Sequence, residues 1–232
     1  MSGFKGEISF IGHSLGSIIL FDILSGQVSP DTEGLSDDAR SGPAGTGQPS
    51  VTYPTLDIQP SALFALGSPI AMFLSVRGVD TLGPHFSLPT CPAIFNIFHP
   101  FDPIAFRIEP LLLPFLGSHP PVTIPHHKGE NIEPDISHFT KNVFSGIRSM
   151  FALTSAKENL EANKEDIPEQ RGDEDRIEAK LNRGRRVDYA LQGTPAEGTN
   201  QYLFAMSSHM TYWKSKDTIL HIVKQVYGDM SR

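Results

Sequence analysis

The stretch Ile8-Ser9-Phe10-Ile11-Gly12-His13-Ser14-Leu15-Gly16-Ser17-Ile18-Ile19-Leu20-Phe21 decides how the rest of the chain is read. An apolar run leads into a Gly-x-Ser-x-Gly core, and a second apolar run, reaching Leu24, follows it. That order predicts strand, tight turn and helix, the setting of a nucleophile elbow. In such a turn the residues flanking the serine are expected to be small. The serine should sit strained and exposed above a sheet, at a helix N-terminus that favours developing negative charge. The structural alternative is a buried serine in a Gly-bounded turn.

At 232 residues the chain can hold one large α/β domain or two small ones. Its net charge of −7 offers no dense basic patch, which argues against nucleic acid as a main partner. The single cysteine, Cys91, excludes an internal disulfide framework and fits a reducing compartment. Nothing near Cys91 in sequence would depress its pKa, so it reads as a small apolar packer. Met1 to Gly6 lacks an apolar core and is not expected to be a signal peptide. No uninterrupted apolar run reaches the roughly 18 residues of a bilayer span. Any membrane association is therefore expected to be peripheral.

Further along, Val28 to Ser50 is rich in Gly, Ser, Pro and Asp, and residues 28–50 read as a disordered insertion. Leu63-Phe64-Ala65-Leu66 and Ala93-Ile94-Phe95-Asn96-Ile97-Phe98 read as buried strands without polar alternation, as in a parallel sheet covered on both faces. Ile70 to Val76 reads as a short helix or apolar loop. Ile136, Phe139, Val143, Ile147, Met150 and Phe151 recur at helical spacing, so Asp135 to Ala156 reads as an amphipathic helix. It is expected to cover the sheet or to serve as a lid or interfacial anchor. Residues 157–186 are dense in charge and read as a flexible linker. Arg186 to Leu191 is a candidate last strand, and Thr218 to Tyr227 a closing amphipathic helix. Asp22 is expected to be solvated or capping.

A serine alcohol needs a base, and the base needs an orienting carboxylate. In α/β-hydrolases the order along the chain is Ser, Asp or Glu, then His, with the last two in loops after late strands. Asp102 follows the strand ending at Phe98, and His209 lies between the last strand and the last helix. Ser14, Asp102 and His209 are thus the candidate triad, and the backbone N–H of Leu15 the candidate oxyanion donor. His126, His127 and His138 compete for the role of base, and His99 is placed to assist Asp102.

With these residues assembled, the chain resembles the DDHD-domain family of intracellular phosphatidic-acid-preferring phospholipases A1. The resemblance is carried by Gly12-His13-Ser14-Leu15-Gly16-Ser17, Ala65-Leu66-Gly67-Ser68-Pro69-Ile70 and Phe95-Asn96-Ile97-Phe98-His99-Pro100-Phe101-Asp102-Pro103. It continues through Arg107-Ile108-Glu109-Pro110, Arg186-Val187-Asp188-Tyr189, Ser208-His209 and Tyr212-Trp213-Lys214-Ser215-Lys216-Asp217. The family's three aspartates and histidine fall on Asp102, Asp188, His209 and Asp217. The resemblance implies an α/β-hydrolase-like domain with a mostly parallel sheet and helices on both faces. It implies hydrolysis of an acyl ester in a phospholipid or neutral lipid by a cytosolic protein that visits endoplasmic-reticulum and Golgi membranes. An endoplasmic-reticulum exit-site coat partner is implied by one branch of the family. Because the serine strand starts within the first ten residues, the sheet is expected to be incomplete on its N-terminal side and residues 1–232 to form a partial domain. The second oxyanion donor is then expected to lie outside these residues.

No cofactor is required for a serine mechanism. The alternative from a different class is a docking or metal-binding module, with a divalent metal held by Asp102, Asp188, His209 and Asp217. Against that stands a structural role for each. Asp188 could pair with a loop amide, and Asp217, just before Thr218, is a natural N-cap.

Overall fold

The computed structural model describes residues 5–27, 46–47, 51, 53–129, 176–193 and 201–228, with side chains from 205 onward in the last span. The expected helix at 135–156, and all but Thr46 and Gly47 of the 28–50 insertion, lie outside these residues.

Five strands form one all-parallel sheet in the order β1-β2-β3-β5-β4. They are β1 (Ser9–His13), β2 (Ala62–Leu66), β3 (Ile94–Phe98), β4 (Val122–Thr123) and β5 (Asp188–Ala190). The helices are α1 (Leu15–Ser25), α2 (Ile70–Val76), α3 (Glu109–Leu112), α4 (Gln201–Ser208) and α5 (Lys216–Tyr227). Both faces of the central strands are apolar, so each must be covered. On β2, Leu63 and Ala65 face one core, formed with Ile18, Phe21 and Leu24 of α1 and Ile70 and Leu74 of α2. Ala62, Phe64 and Leu66 face the other, with Phe95 and Ile97 of β3, Tyr212, and Ile222 and Val226 of α5. The expected α/β architecture with helices on both faces is the one observed.

Polar side chains bridge the layers at a few positions. Asn182 imitates a neighbouring strand at β3, accepting from Ile94 N (2.7 Å) and donating to Ile94 O (2.6 Å). Asp22 forms a two-armed pair with Arg77, both contacts at 2.8 Å, and so joins α1 to the end of α2 instead of standing solvated. Cys91 is buried, and burial pushes its thiol up to about 11, in keeping with a packing role.

The expected 157–186 linker enters the described residues at Arg176, and there the chain is packed. Ile177, Leu181 and Arg186 are buried, and Leu181–Gly184 forms a 3₁₀ turn. Two apolar residues four apart are enough to seat this charged stretch against the sheet's first core. Tyr202 to Met206, an apolar stretch just before Ser207-Ser208-His209, falls within α4.

His221 gives the fold a measurable pH dependence. Its ring is buried beside Tyr189 and Phe95, at 4.6 and 6.5 Å between centroids, and its Nε2 has no hydrogen-bond partner among the described residues. Burial, with a smaller push from Lys224, lowers it from 6.5 to about 4, so the folded chain holds it neutral. A histidine depressed in the fold contributes stability above its unfolded pKa and loses it as pH falls toward the folded value. Between pH 6.5 and 4 the wild-type chain should lose up to about 3 kcal/mol more than His221→Leu. Urea unfolding of both across that window checks this, and parallel losses would contradict it.

Candidate active site

All five strands run the same way, so their C-terminal ends open onto one edge, where ligands of such sheets bind. Ser14 follows β1, Gly67 and Ser68 follow β2, and Asp102 follows β3. Ser14 has φ 52° and ψ −127°, strained for a residue with a side chain, and it directly precedes α1. Its N–H donates to Leu66 O at 2.9 Å, tying the turn to β2. Ser17 Oγ donates to Ser14 O at 2.5 Å and lies 2.6 Å from Ser68 Oγ. A Cβ on Gly12 would come within 2.6 Å of Ser17 Cα, so this flank of the serine must be bare. At Gly16 a Cβ would meet nothing within 4 Å, which corrects the expectation that both flanks must be small. Leu15 opens α1, so its N–H has no intrahelical partner and stands beside Ser14.

Asp102 and His209 are 107 residues apart and in direct contact. His209 Nδ1 lies 2.9 and 3.0 Å from the two oxygens of the Asp102 carboxylate, whose side chain is fully buried. The ionised carboxylate only accepts, so Nδ1 carries the proton and Nε2 is left with a lone pair. Two further donors fix the carboxylate: Ile104 N at 2.9 Å and the Tyr212 hydroxyl at 2.6 Å. The same hydroxyl accepts from His99 N at 2.9 Å. Burial, followed by the Asp102 charge, pushes the Tyr212 phenol far up, so it remains a donor. His99 sits close by with its pKa lowered by burial, partly offset by Asp102.

Gly67 makes this packing feasible. It has φ 54°, and a Cβ there would fall 2.6 Å from the Tyr212 ring and 2.8 Å from Asp102 Oδ2.

Ser14 and His209 share this end of the sheet, with no hydrogen bond between the Ser14 hydroxyl and the imidazole among the described residues. The link runs through the neighbouring residue. His13 Nε2 lies 2.8 Å from His209 O, and the two imidazole centroids are 4.8 Å apart. His13 also faces Tyr212 and, edge-on at 6.2 Å, Trp213.

The other two acidic positions lie in different surroundings. Asp188 is buried and accepts from Ile108 N and Glu109 N, both at 3.0 Å, from Asn96 Nδ2 at 2.9 Å and from Arg107 Nε at 3.2 Å. Asp217 accepts from His127 N at 2.8 Å and pairs with His127 Nδ1 at 2.7 Å. It stands in the first turn of α5, and the N-cap is Ser215, whose hydroxyl accepts from Thr218 N at 3.1 Å. The cap assigned to Asp217 from sequence therefore belongs to Ser215, because the helix begins two residues earlier. With their oxygens already facing hydrogen-bond donors, Asp102 and Asp188 do not fit a common metal centre with His209 and Asp217. The group of three metal-type donors among the described residues is instead His126, His127 and Asp217, with ligand atoms within 4.8 Å of one another. His138 lies outside the described residues.

Sequence reasoning missed Tyr212, Gly67 and His13. The signal for His13 was its place inside the Gly-x-Ser-x-Gly core. For Tyr212 it was its position three residues past His209.

A parallel α/β sheet with a strained serine at one strand end and an Asp–His pair at another has the layout of the α/β-hydrolase class. The chain belongs to the DDHD domain family, which matches residues 56–166 and 152–227. It is 39% identical over 226 residues to the human SEC23-interacting protein, covering 81% of this chain and 22% of that protein. The mouse triacylglycerol hydrolase DDHD2 is 38% identical over 216 residues, covering 79% of this chain and 31% of the relative. An intracellular phospholipase A1 of Caenorhabditis elegans is 32% identical over 145 residues, covering 48% and 17%. The chain therefore spans less than a third of the length of these three relatives. No solved structure matches it significantly.

Tyr212→Phe should cost about 1–3 kcal/mol, because it leaves a buried carboxylate oxygen and the His99 amide each short of a partner. Gly67→Ala should cost a similar ~1–3 kcal/mol through its positive φ and its clash with Tyr212. Denaturant unfolding of both variants measures this. Wild-type stability in either would mean that the site packing has been misjudged.

Proposed function

We propose that the domain is a serine-dependent lipid acyl-ester hydrolase. Ser14 is the nucleophile, His209 the base, Asp102 the orienting acid, and Leu15 N–H one oxyanion donor. The observation that carries this reading is the strained φ of Ser14 on the sheet edge that also holds the Asp102–His209 pair. A binding module has no use for that strain. In the first half-reaction His209 Nε2 takes the Ser14 proton as Oγ adds to the ester carbonyl. Negative charge collects on the carbonyl oxygen facing Leu15 N–H, at the positive end of α1. Collapse breaks the bond to the alcohol, which leaves with the proton from His209. Water then releases the fatty acid by the same steps in reverse roles, and Ser14 is restored. Asp102 stays ionised throughout and holds the imidazolium.

The substrate is a phospholipid, with phosphatidic acid the reference case, or a neutral lipid. Support comes from relatives whose names are phospholipase and triacylglycerol hydrolase. No helix among the described residues is long and apolar enough to cross a membrane, which is compatible with peripheral contact at endoplasmic-reticulum and Golgi membranes. The likeness to SEC23-interacting proteins supports an endoplasmic-reticulum exit-site coat partner.

The second reading is a metal-binding module, favoured by the His126–His127–Asp217 group. That group would hold a divalent ion apart from the serine chemistry, and a metal titration of the full chain would read it out directly.

Ser14→Ala should lower ester hydrolysis by about three orders of magnitude or more while leaving unfolding unchanged. Turnover of a p-nitrophenyl ester and of phosphatidic acid, with fluorophosphonate labelling of Ser14, checks this. Equal turnover by Ser14→Ala would remove the hydrolase reading and leave the binding module.

A further inference from the structure

Five large apolar side chains stand exposed on the segments that carry Ser14, Asp102 and His209. Leu15 follows Ser14, and Ile104 follows Asp102, to which its own N–H donates. Met206 and Met210 flank His209 at 49% and 62% exposure. Trp213 is 52% exposed, with its ring edge-on to His13. Four of them lie within three residues of Ser14, Asp102 or His209 in the chain, and Trp213 is joined to the elbow by its ring contact with His13.

The charges of this rim are one-sided. Residues 12–17, 101–106 and 205–216 contain one carboxylate, Asp102, and its side chain is fully buried. The same segments carry Lys214 and Lys216, both exposed. Within these described segments an acidic chain of net charge −7 thus shows apolar side chains and positive charge without an exposed acid. Past Lys214 the surface continues along α5 as a groove lined by Ile219, Leu220 and Val223.

We infer that this rim is a docking surface for an anionic lipid bilayer. A membrane interface matches each element. Tryptophan settles at the headgroup level, methionine adapts to mobile acyl chains, and lysine pairs with phosphate while its stem stays apolar. An exposed apolar patch of this kind marks an interaction site, and the cations select an anionic partner. The inference rests on the hydrolase reading for its placement, since the rim would bring the lipid ester to Ser14 without full extraction from the membrane.

Trp213 is the one tryptophan of the chain, so its emission reports this surface directly. The full chain is mixed with phosphatidylcholine vesicles carrying a minority of phosphatidic acid and brominated acyl chains. The Trp213 emission should move to shorter wavelength and be quenched by bromine. Lys214→Gln with Lys216→Gln should weaken binding to these vesicles by about tenfold and leave weak binding to pure phosphatidylcholine vesicles unchanged. Met206→Ser with Met210→Ser should weaken it by about tenfold, with hydrolysis of a monomeric short-chain ester unaltered. Trp213 remaining open to aqueous iodide on vesicle-bound protein would overturn the inference. So would an emission shift that follows protein concentration without vesicles, which would assign the rim to a second copy of the chain. Failure of the hydrolase reading is separable. Quenching with no hydrolysis by the wild-type chain would remove only the enzyme, whereas ester hydrolysis without quenching would remove only the docking surface.

Discussion

A fully buried carboxylate fixes the loop that follows β3. Asp188 receives two main-chain N–H groups from Ile108 and Glu109 and side-chain donors from Asn96 and Arg107. The loop that begins at His99 and carries Asp102 is therefore clamped at its far end to β5. Midway, Phe106 N donates to Ser68 O, which ties it to the end of β2. At its near end Tyr212 holds both His99 and Asp102. Three anchors on three elements leave the Asp102 carboxylate little freedom. Positional accuracy of this kind is what an orienting acid requires.

The clamp is an ionic one, and its charges balance. Glu109, also buried, accepts from Arg186 through both oxygens and from the amides of Val187 and Asp188. Burial opposes its ionised form, but Arg186 and those amides outweigh it and hold the carboxyl below its ordinary value. Asp188 is pushed upward by burial and by the neighbouring Glu109, against the pull of Arg107. Two carboxylates and two guanidiniums in one cluster are not a source of net stability, because desolvation offsets their attraction. Losing any one member would cost about 3–5 kcal/mol by leaving an uncompensated buried charge. The cluster sets geometry more than it sets stability.

Much of this was legible in the sequence, for local reasons. The apolar runs of β1, β2 and β3 have no polar alternation because both sheet faces are covered. The Gly12–Gly16 core sits between a strand and a helix, and Asp102 and His209 stand in the right order after strands. What escaped the sequence is held by contacts across 79 to 113 residues. The Tyr212 bond to His99 spans 113 residues, and the Asp188 bonds to Ile108 and Glu109 span 80 and 79. No periodicity records such pairings. The Asp217 cap was misread because Ser215, two residues earlier, satisfies Thr218 N and frees Asp217 to pair with His127. The linker ran too far because Ile177 and Leu181 are sparse among charges, yet both fall on the packed side.

One half of the proposed machinery is held far more tightly than the other, and the chemistry explains the difference. The acid and the imidazole tautomer must be right before substrate arrives, so they rest on buried hydrogen bonds that water cannot exchange. The nucleophile has to approach a carbonyl that is not yet there, and hydrogen bonds of this kind tighten in the substrate complex. Ser14 directly follows β1, an edge strand of the described sheet, and its hydroxyl is not bonded to His209. Its turn is joined to the histidine segment through His13 Nε2 on the His209 carbonyl. Through that contact the elbow and the base share one tie, while Asp102 is anchored separately on three elements. The proposed base thus stands between a fixed acid and an edge-strand serine, an arrangement suited to a Ser14–His209 contact that forms when substrate binds.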